Sequence, residues 1–397
     1  MSGRPRAFVS AFGVAGHVFP AIALARALHG RGYEIWFETR ARWRDVVEDM
    51  GFEFVAAPEY IAFPGPWPGM PSTPTLPDAV RSLLPIMCDA RPDVVINDFF
   101  TVPAALAAEV QGSRRATIVP HPYPVNEPGL PYFMVGLLPP RTTFGAGAWR
   151  AARPWFARRA RRQRRELNAA RAELGLPPVD RLYGAISEEL AMVATFPQLE
   201  YPRRWPAHVH VTGPMLFELP HPDVELPEGD EPLVLIAGST AQDQELRVVR
   251  TALDALADER IRVVATLNQR GMRWPGPAPP NAKVVDWISY PQVIPQASIV
   301  ICNGGHGTVA RTLAAGIPLV IRPAGGDMGE NGARVAWAGV GLMLPRGVFG
   351  PRSLRLAVRA LLADGRFAAR AGEIAAWSRR NDGAVRGAEL VERQVSR

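Results

Sequence analysis

Cysteine is scarce in this chain. Its 397 residues include only Cys88 and Cys302, and both lie inside or beside apolar runs. Two cysteines in such positions exclude a disulfide framework and a cysteine-ligated metal site. We therefore expect the protein to work in a reducing compartment, the cytoplasm.

Long hydrophobic runs are also lacking. No uninterrupted apolar stretch reaches the roughly 18 residues that a membrane-spanning helix needs, and the first residues lead into a short apolar strand rather than a signal sequence. The sequence therefore predicts neither export nor a membrane span. Its 47% hydrophobic and 21% charged residues are typical of a globular protein, and a length of 397 residues favours two domains of roughly 150–200 residues each.

Much of the net charge of +7 lies in one segment, residues 158–165. Its arginines are Arg158, Arg159, Arg161, Arg162, Arg164 and Arg165. The spacing of Leu167, Ala170 and Leu174 continues the segment as a helix, and arginines around most of its circumference favour a solvated helix. Contact of this helix with an anionic membrane surface or an acidic partner is the alternative. Nucleic acid is not expected, because no aromatic residues interleave the arginines.

Short apolar strands alternate with helical segments along the first half, which is the pattern of a doubly wound parallel sheet. The strands are predicted at 7–12, 33–37, 52–55, 94–97 and 116–119, and the helices at 18–28, 43–50 and 103–110. Residues 56–86 and 121–144 are rich in proline or aromatic residues, so we expect no regular element in either stretch. Loops of this length are typical of binding loops or lids, although some only cover a sheet edge.

The pattern repeats after residues 214–232, a proline-rich and acidic stretch that we interpret as a linker. Strands are predicted at 233–237, 261–265, 283–285, 298–301 and 319–321, and helices at 242–256, 308–315 and 331–338. The sequence thus predicts an α/β protein with one Rossmann-like domain at 1–213 and another at 233–375. Ligands of open α/β sheets bind beyond the carboxyl ends of the strands, so both domains should face a cleft between them.

Residues 303–334 carry the most specific motif. The turn Asn-Gly-Gly-His-Gly-Thr follows a predicted strand and opens a helix at Thr308. Backbone N–H groups and the positive end of the helix then face one point, which favours a phosphate. The next strand is followed by Asp327, whose carboxylate would lie beside the same pocket and suits sugar hydroxyls. The motif therefore predicts a nucleotide sugar.

His17 and Asp98 are candidates for acid–base chemistry. His17 lies at the start of a helix where a βα loop opens into the cleft, and a reference pKa near 6.5 suits a general base. Asp98 follows a strand on the same rim, where its carboxylate could accept the imidazole Nδ1–H and stabilise the imidazolium. A histidine that only caps or packs is the alternative. The turn before His17 lacks G-x-G-x-x-G, so we expect no dinucleotide site there.

Five motifs follow one another at 16–20, 167–177, 237–240, 286–287 and 303–334. In kind and order they resemble those of the family-one nucleotide-sugar glycosyltransferases of GT-B fold. The resemblance covers nearly the whole chain. It is strongest to the actinobacterial enzymes that glycosylate antibiotics, such as macrolides and aromatic polyketides, and other small natural products.

The resemblance implies roles for individual residues. His17 corresponds to the general base that deprotonates the acceptor hydroxyl, and Asp98 to the carboxylate that orients it. The implied donor-binding residues are Ser239, Thr240, Trp287, Ile288, Asn303, Gly304, Gly305, His306, Gly307, Thr308, Asp327 and Met328. A hydrophobic acceptor is expected to lie against the two irregular stretches, at Phe63, Trp67, His121, Tyr123, Tyr132 and Phe133.

The implied reaction moves a hexose or deoxyhexose from a TDP or UDP sugar by direct displacement, with inversion at the anomeric carbon. The resemblance implies no metal and no cofactor besides the nucleotide sugar, because the helix end and loop N–H groups neutralise the leaving diphosphate. It also implies that a terminal helix, residues 376–397, crosses back onto the first domain.

Two residues depart from the family pattern. Asn303 occupies the slot of a histidine that donates to the leaving diphosphate, and His306 or Arg322 could compensate for the lost charge. Met328 stands where the family usually has glutamine, which favours a deoxygenated sugar. Other interpretations stay open: a transferase for a lipid-linked acceptor at the membrane, a GT-B-fold epimerase, and a degenerate auxiliary protein that binds a partner or ligand without transferring sugar.

Overall fold

The computed structural model describes residues 4–58, 74–181, 183–221, 223–239, 243, 245–268 and 271–396. Within these ranges the chain forms two parallel β-sheets. The first has the strand order β3-β2-β1-β4-β5-β6-β7 and the second the order β10-β9-β8-β11-β12-β13. The strands are β1 (Arg6–Ser10), β2 (Glu34–Thr39), β3 (Glu53–Ala56), β4 (Val94–Asp98), β5 (Arg115–Val119), β6 (Leu190–Val193), β7 (Val209–Val211), β8 (Leu233–Ala237), β9 (Arg262–Thr266), β10 (Ala282–Val285), β11 (Ile299–Cys302), β12 (Leu319–Ile321) and β13 (Gly341–Met343).

Helices cover both faces of each sheet, so central strands such as β4, β8 and β11 are buried along their whole length. The helices are α1 (Ala15–His29), α2 (Arg44–Glu48), α3 (Leu76–Ala90), α4 (Val102–Gln111), α5 (Thr143–Glu173), α6 (Arg247–Leu256), α7 (Tyr290–Val293), α8 (His306–Ala314), α9 (Met328–Ala338), α10 (Pro351–Ala363), α11 (Gly365–Arg380) and α12 (Gly383–Val395). No helix in the described ranges combines the length and apolar content that crossing a membrane requires. The arginines Arg158, Arg161, Arg162 and Arg165 of α5 are exposed.

The end of the chain returns to the first sheet. Ala388 and Val391 of α12 lie in the core that α1 forms against that sheet. Arg31, just after α1, donates from Nε to Glu392 Oε2 at 2.9 Å. Residues 214–232, where described, contain no helix or strand. The chain therefore crosses between the sheets twice.

Residues 76–86 correct the sequence analysis, which expected no regular element across 56–86. They form most of α3. Pro77 lies in the first turn, where a backbone N–H has no helical partner to lose, and Thr75 Oγ1 caps the helix by accepting the Asp78 N–H at 3.3 Å. Proline content alone therefore misjudged this segment.

The helix expected from residue 242 begins at Arg247 instead, and this expectation was wrong for a physical reason. Leu246 has a φ of 53°, outside the right-handed helical region. The Asp243 carboxylate accepts the N–H groups of Arg247 at 3.1 Å and Val248 at 3.0 Å. A buried side-chain cap thus sets the start of α6.

Candidate active site

Each sheet has a switch point, where the strand order reverses. It lies between β1 and β4 in the first sheet and between β8 and β11 in the second. The carboxyl ends of such strands leave the crevice in which open α/β sheets bind ligands. Four candidates from the sequence lie there: His17 after β1, Asp98 at the end of β4, Ser239 after β8 and Asn303 after β11.

His17 and Asp98 form a hydrogen-bonded pair. His17 lies in the first turn of α1, and Nδ1 of its imidazole lies 2.7 Å from Asp98 Oδ2. Asp98 Oδ1 accepts the Phe100 N–H at 2.8 Å, which fixes the carboxylate. The aspartate side chain is 1% exposed and that of the histidine 13%. Since Nδ1 donates to Asp98, the lone pair of the imidazole is on Nε2.

The surroundings of His17 set its basicity. Burial lowers the pKa of the imidazole, but the Asp98 charge and hydrogen bond, helped by the charge of Asp327, outweigh burial and raise the pKa above 6.5. The rings of Phe12 and Phe100 lie 5.6 and 5.1 Å from the imidazole, centre to centre. An aromatic wall that excludes water strengthens the interaction with Asp98. The arrangement suits a general base.

His121 is a second imidazole beside the first, with its ring centre 6.3 Å from that of His17. It packs against Phe99 at 4.7 Å and Phe133 at 5.1 Å. Nδ1 lies 2.8 Å from the Pro122 carbonyl oxygen and therefore donates. Burial lowers the pKa of His121 to about 4. The ring is thus neutral at pH 7, and its Nε2 can accept a hydrogen bond from a bound hydroxyl.

The glycine-rich turn lies at the carboxyl end of β11. Gly304 has a φ of 90°, and a Cβ there would lie 2.7 Å from Ile321 Cγ2, so the turn requires glycine. The partly exposed residues of the turn are Gly305, His306, Gly307 and Thr308. Gly305 is the N-cap of α8. The first turn of this helix therefore has the geometry of an anion site.

The Asn303 side chain is already engaged within the protein. It is 2% exposed, and its Nδ2 makes a long hydrogen bond of 3.4 Å to Asp243 Oδ2. Arg322 follows β12 directly beside it, because Ile321 pairs with Cys302 in the sheet. Asn303 after β11, Arg322 after β12 and Asp243 in the segment between β8 and α6 thus form a polar cluster.

His306 bridges the two domains. Its Nε2 lies 3.1 Å from the Ala194 carbonyl oxygen after β6, and its Nδ1 lies 3.3 Å from Asn331 Oδ1 on α9. The Asn331 amide donates to Asp327 Oδ2 at 3.0 Å and to Gly304 O at 2.9 Å, which orients it. Burial lowers the pKa of His306, and this outweighs the opposite, pKa-raising effect of the Ala194 and Asn331 oxygens. The ring is therefore neutral at pH 7, and with a single N–H it donates to one of these two oxygens and only contacts the other.

Asp327 connects the two domains electrostatically. It is the N-cap residue of α9, is half-buried, and its charge favours the protonated forms of both His17 and His121. The carboxylate of the second domain therefore faces the imidazoles of the first. Met328, the next residue, is 8% exposed and lies against Gly304.

The residues expected to hold the nucleoside differ in accessibility. Ser239 is 8% exposed after β8, and Ile288 is 1% exposed within the core of the second domain. The Trp287 ring is half-buried and lies 5.3 Å from the His221 ring, centre to centre. Trp287 rather than Ile288 thus has surface for a base to stack on. Three candidates lie outside the described residues: Phe63, Trp67 and Thr240.

The aromatic acceptor candidates separate into two groups. Phe133 stacks on His121 and so lies beside the His17 pair. Tyr123 is 4% exposed and packs on Trp205, whereas Tyr132 stacks on Phe156 of α5 at 4.0 Å. The structure places these two tyrosines in the packing of the first domain.

Several residues of the site were not identified from the sequence. These are Phe12, Phe99, Phe100, Asp243 and Asn331. Asn331 had a usable signal, since it lies four residues after Asp327 and so on the same helix face. Phe99 and Phe100 directly follow Asp98 and could have been found with it. Asp243 becomes apparent only through its cap on α6.

Comparison with known proteins identifies both halves. Residues 7–120 match the glycosyltransferase family 28 N-terminal domain, and residues 250–383 match the C-terminal domain of proteins like erythromycin biosynthesis protein CIII. The 4'-demethylrebeccamycin synthase of Lentzea aerocolonigenes is 28% identical, over 95% of this chain and 96% of its own.

Solved structures show the fold. The glycosyltransferase of kitacinnamycin superposes with a TM-score of 0.78 at 23% identity, over 100% of both chains. The glycosyltransferase VinC, solved in complex with dTDP, gives a TM-score of 0.71 at 20% identity, over 98% of this chain and 99% of its own. The predicted GT-B fold is thus confirmed. The chain thus has the GT-B fold, both of its halves match models of glycosyltransferase-type domains, and it resembles the actinobacterial glycosyltransferases of natural products.

Proposed function

We propose that this glycosyltransferase moves a hexose or deoxyhexose from a TDP or UDP sugar to a hydrophobic small-molecule acceptor, with inversion and with His17 as the general base. The observation that carries the proposal is the 2.7 Å hydrogen bond between His17 Nδ1 and Asp98 Oδ2. This bond supports a general base of raised pKa. His17 lies in an aromatic-lined cleft at the switch point of the first sheet, and the glycine-rich turn lies at the switch point of the second.

In the proposed reaction, Nε2 of His17 takes the proton of the acceptor hydroxyl while its oxygen attacks the anomeric carbon. The bond between that carbon and the diphosphate oxygen breaks, and its electron pair leaves with the nucleoside diphosphate. A single displacement inverts the configuration. Asp98 stabilises the imidazolium, which later releases its proton to solvent.

The first turn of α8 supports the leaving diphosphate in this proposal. Its N–H groups and the helix dipole provide partial positive charge where negative charge develops. The reaction is proposed to need no metal and no further cofactor. Transfer should therefore continue unchanged in excess EDTA, and a loss of rate that Mg²⁺ restores would contradict this part.

Donor and acceptor are supported by separate observations. VinC was solved with dTDP, which supports a TDP donor. Met328 follows Asp327, the carboxylate proposed to bind the sugar, and its side chain offers that sugar no hydrogen bond. This supports a deoxyhexose. The rings of Phe12, Phe100 and Phe133 around the two imidazoles support an apolar, aromatic acceptor.

The test supplies TDP and UDP sugars with pooled aromatic and macrolide acceptors and follows glycosides by mass spectrometry and anomeric configuration by NMR. His17→Ala should lower turnover at least about 100-fold. The control is His29→Ala at the other end of α1, whose Nδ1 lies 3.2 Å from the Tyr33 carbonyl oxygen, and it should leave turnover unchanged. Retained configuration, or full activity of His17→Ala, would contradict the mechanism. Absence of both transfer and donor hydrolysis with every donor would favour a protein that binds without transferring.

A further inference from the structure

The leaving diphosphate lacks one charged partner in this chain. Asn303 stands in the slot where the resemblance implies a histidine, and a neutral amide carries no charge. Its Nδ2 is directed at Asp243, and its Oδ1 is buried without a hydrogen-bond partner among the described residues. A full positive charge near the glycine-rich turn, beyond the partial charge of the α8 helix end, would therefore come from another side chain.

The His306 side chain is already in contact with other protein groups. Both of its ring nitrogens face protein oxygens, those of Ala194 and Asn331, and burial lowers its pKa. A neutral ring in this position contacts both domains. It does not supply the missing charge.

Arg322 is better placed to do so. It is the neighbour of Asn303 at the carboxyl edge of the second sheet, one strand from the switch point. Its side chain is 8% exposed. Across the part of the chain that the structure describes, its Nε is buried without a hydrogen-bond partner, and its guanidinium forms no ion pair.

The charges around Arg322 compensate it only in part. Asp243 attracts the guanidinium, but its oxygens accept the N–H groups of Arg247 and Val248 and the amide of Asn303. Arg247 and Arg346 add further positive charge. Arg322 also contacts the ring of Phe349, whose centre lies 5.6 Å from the guanidinium carbon. A largely buried cation without a hydrogen-bonded counter-ion carries a desolvation cost. An anion bound at this edge would offset that cost.

We propose that Arg322 binds the diphosphate of the nucleotide-sugar donor and stabilises the charge that develops on it as the sugar departs. This inference rests on the proposed function, since it presupposes such a donor. A guanidinium bonds two phosphate oxygens through its planar fork and keeps its charge throughout the physiological pH range. Arg322 thus supplies the charge that Asn303 lacks.

Calorimetry with thymidine, dTMP and dTDP measures how the contribution of Arg322 to binding depends on the number of phosphate groups. Arg322→Gln should weaken dTDP binding at least about 10-fold but thymidine binding less than about twofold. The dTDP affinity of Arg322→Lys should lie between those of the wild type and Arg322→Gln. The matched control is Arg247→Gln, which removes an exposed arginine near the same Asp243 and should weaken dTDP less than about threefold. Unchanged dTDP affinity in Arg322→Gln would overturn the proposal, as would an equal loss for thymidine.

Thermal unfolding separates binding from a structural role. Because Arg322 is a largely buried cation without a hydrogen-bonded counter-ion among the described residues, Arg322→Gln should raise the Tm of the ligand-free protein and reduce the further rise that dTDP produces. A structural role predicts the opposite pattern. A lowered Tm with an unchanged dTDP shift would therefore overturn the proposal.

A charge exchange tests the link to Asn303. Adding Asn303→His to Arg322→Gln should restore part of the affinity for dTDP-glucose, and the restored part should disappear as pH rises through the histidine pKa. Wild-type affinity should change much less, because arginine stays charged. A wild type that binds neither dTDP nor UDP contradicts the proposed function together with this inference, whereas binding that Arg322→Gln retains contradicts this inference alone.

Discussion

His306 of the second domain lies against Ala194 of the first, with the imidazole Nε2 3.1 Å from the carbonyl oxygen. The other ring nitrogen lies 3.3 Å from Asn331 Oδ1, and the Asn331 amide donates to Asp327. One side chain therefore links the contact between the domains to the carboxylate implied to bind the donor sugar.

Removing this link should weaken catalysis by about one hydrogen bond. His306→Ala and Asn331→Ala should each lower kcat/KM for the donor about fivefold, equivalent to about 1 kcal/mol. Because both side chains act through one chain of contacts, the double variant should lose far less than the product of the two effects. Steady-state kinetics on the four proteins measures the coupling. Independent, multiplying losses would refute the linked network.

A second bridge across the domains depends on Gly136. Its N–H donates to Glu330 Oε1 at 2.8 Å, its φ is 67°, and a Cβ there would lie 2.9 Å from the Gly329 carbonyl carbon. Gly136→Ala should push residues 121–144 away from α9 and raise the acceptor KM about 10-fold, as loss of a bond and its packing would.

Gly129→Ala is the matched control for backbone strain. Gly129 has a φ of 92°, but a Cβ there would make only ordinary contacts, with the side chains of Arg150 at 3.4 Å and Ala146 at 3.6 Å. Both variants should lose about 1–2 kcal/mol of stability from the left-handed conformation, whereas acceptor KM should rise in Gly136→Ala alone. Equal KM values in the two variants would mean that strain, not the lost contact, is responsible.

The sequence predicted the architecture well, because a strand that is buried on both faces of its sheet is a short, continuous apolar run. β8 and β12 were predicted with the bounds that the structure shows, since they are short apolar runs between helical segments. Local rules failed where a specific contact overrides composition. The Thr75 cap and first-turn Pro77 produce α3 in a proline-rich stretch, and the Asp243 cap delays α6.

Site residues were predictable only where they follow a strand. His17 and Asp98 lie at neighbouring strand ends, so the alternation of strands and helices already places them together. Asn303 and Arg322 also lie at neighbouring strand ends, yet their hydrogen-bond partners, or the lack of them among the described residues, depend on side-chain orientations that spacing does not contain.

Asp98→Asn should change the pH profile of transfer in a defined direction. The pKa of His17 is raised by Asp98, so turnover should rise with pH through a pKa above 6.5 as the base loses its proton. Removing the carboxylate charge lowers that pKa, so the acid limb should move to lower pH while maximal turnover falls on the order of 100-fold or more. Rates measured across pH 5 to 9, roughly the range in which histidine titrates, give both quantities. An acid limb that stays in place would mean that Asp98 does not set the basicity of His17.

Met328 should influence the choice of sugar. A buried thioether beside Asp327 offers no hydrogen bond to a sugar hydroxyl. Met328→Gln should raise kcat/KM for TDP-glucose relative to TDP-6-deoxyglucose about fivefold, the effect of one added hydrogen bond. Competition between the two donors in one reaction, read by mass spectrometry, measures the ratio. A ratio that does not change would assign donor preference to other residues.

Glu38 should make stability depend on pH independently of catalysis. Its side chain is 3% exposed at the end of β2, and Oε2 has no hydrogen-bond partner among the described residues. Burial raises the pKa of this carboxyl from 4.5 to about 7, despite an opposing contribution from Ser10. Below pH 4.5 the group is protonated in both the folded and the unfolded state. Between 4.5 and about 7 only the unfolded state loses its proton, so the free energy of unfolding falls as pH rises, by about 3 kcal/mol in total.

Glu38→Gln removes this titration. The Tm of the variant minus that of the wild type should grow from pH 4.5 to about 7 and then stay level, whatever constant offset the new amide introduces. Glu34→Gln is the control, because Glu34 lies on the same strand, has a side chain that is 44% exposed, and pairs with Arg6 at 2.8 Å. Its Tm difference should show no such growth. A difference for Glu38→Gln that is constant across this range would show that Glu38 ionises in the folded protein as readily as in the unfolded chain.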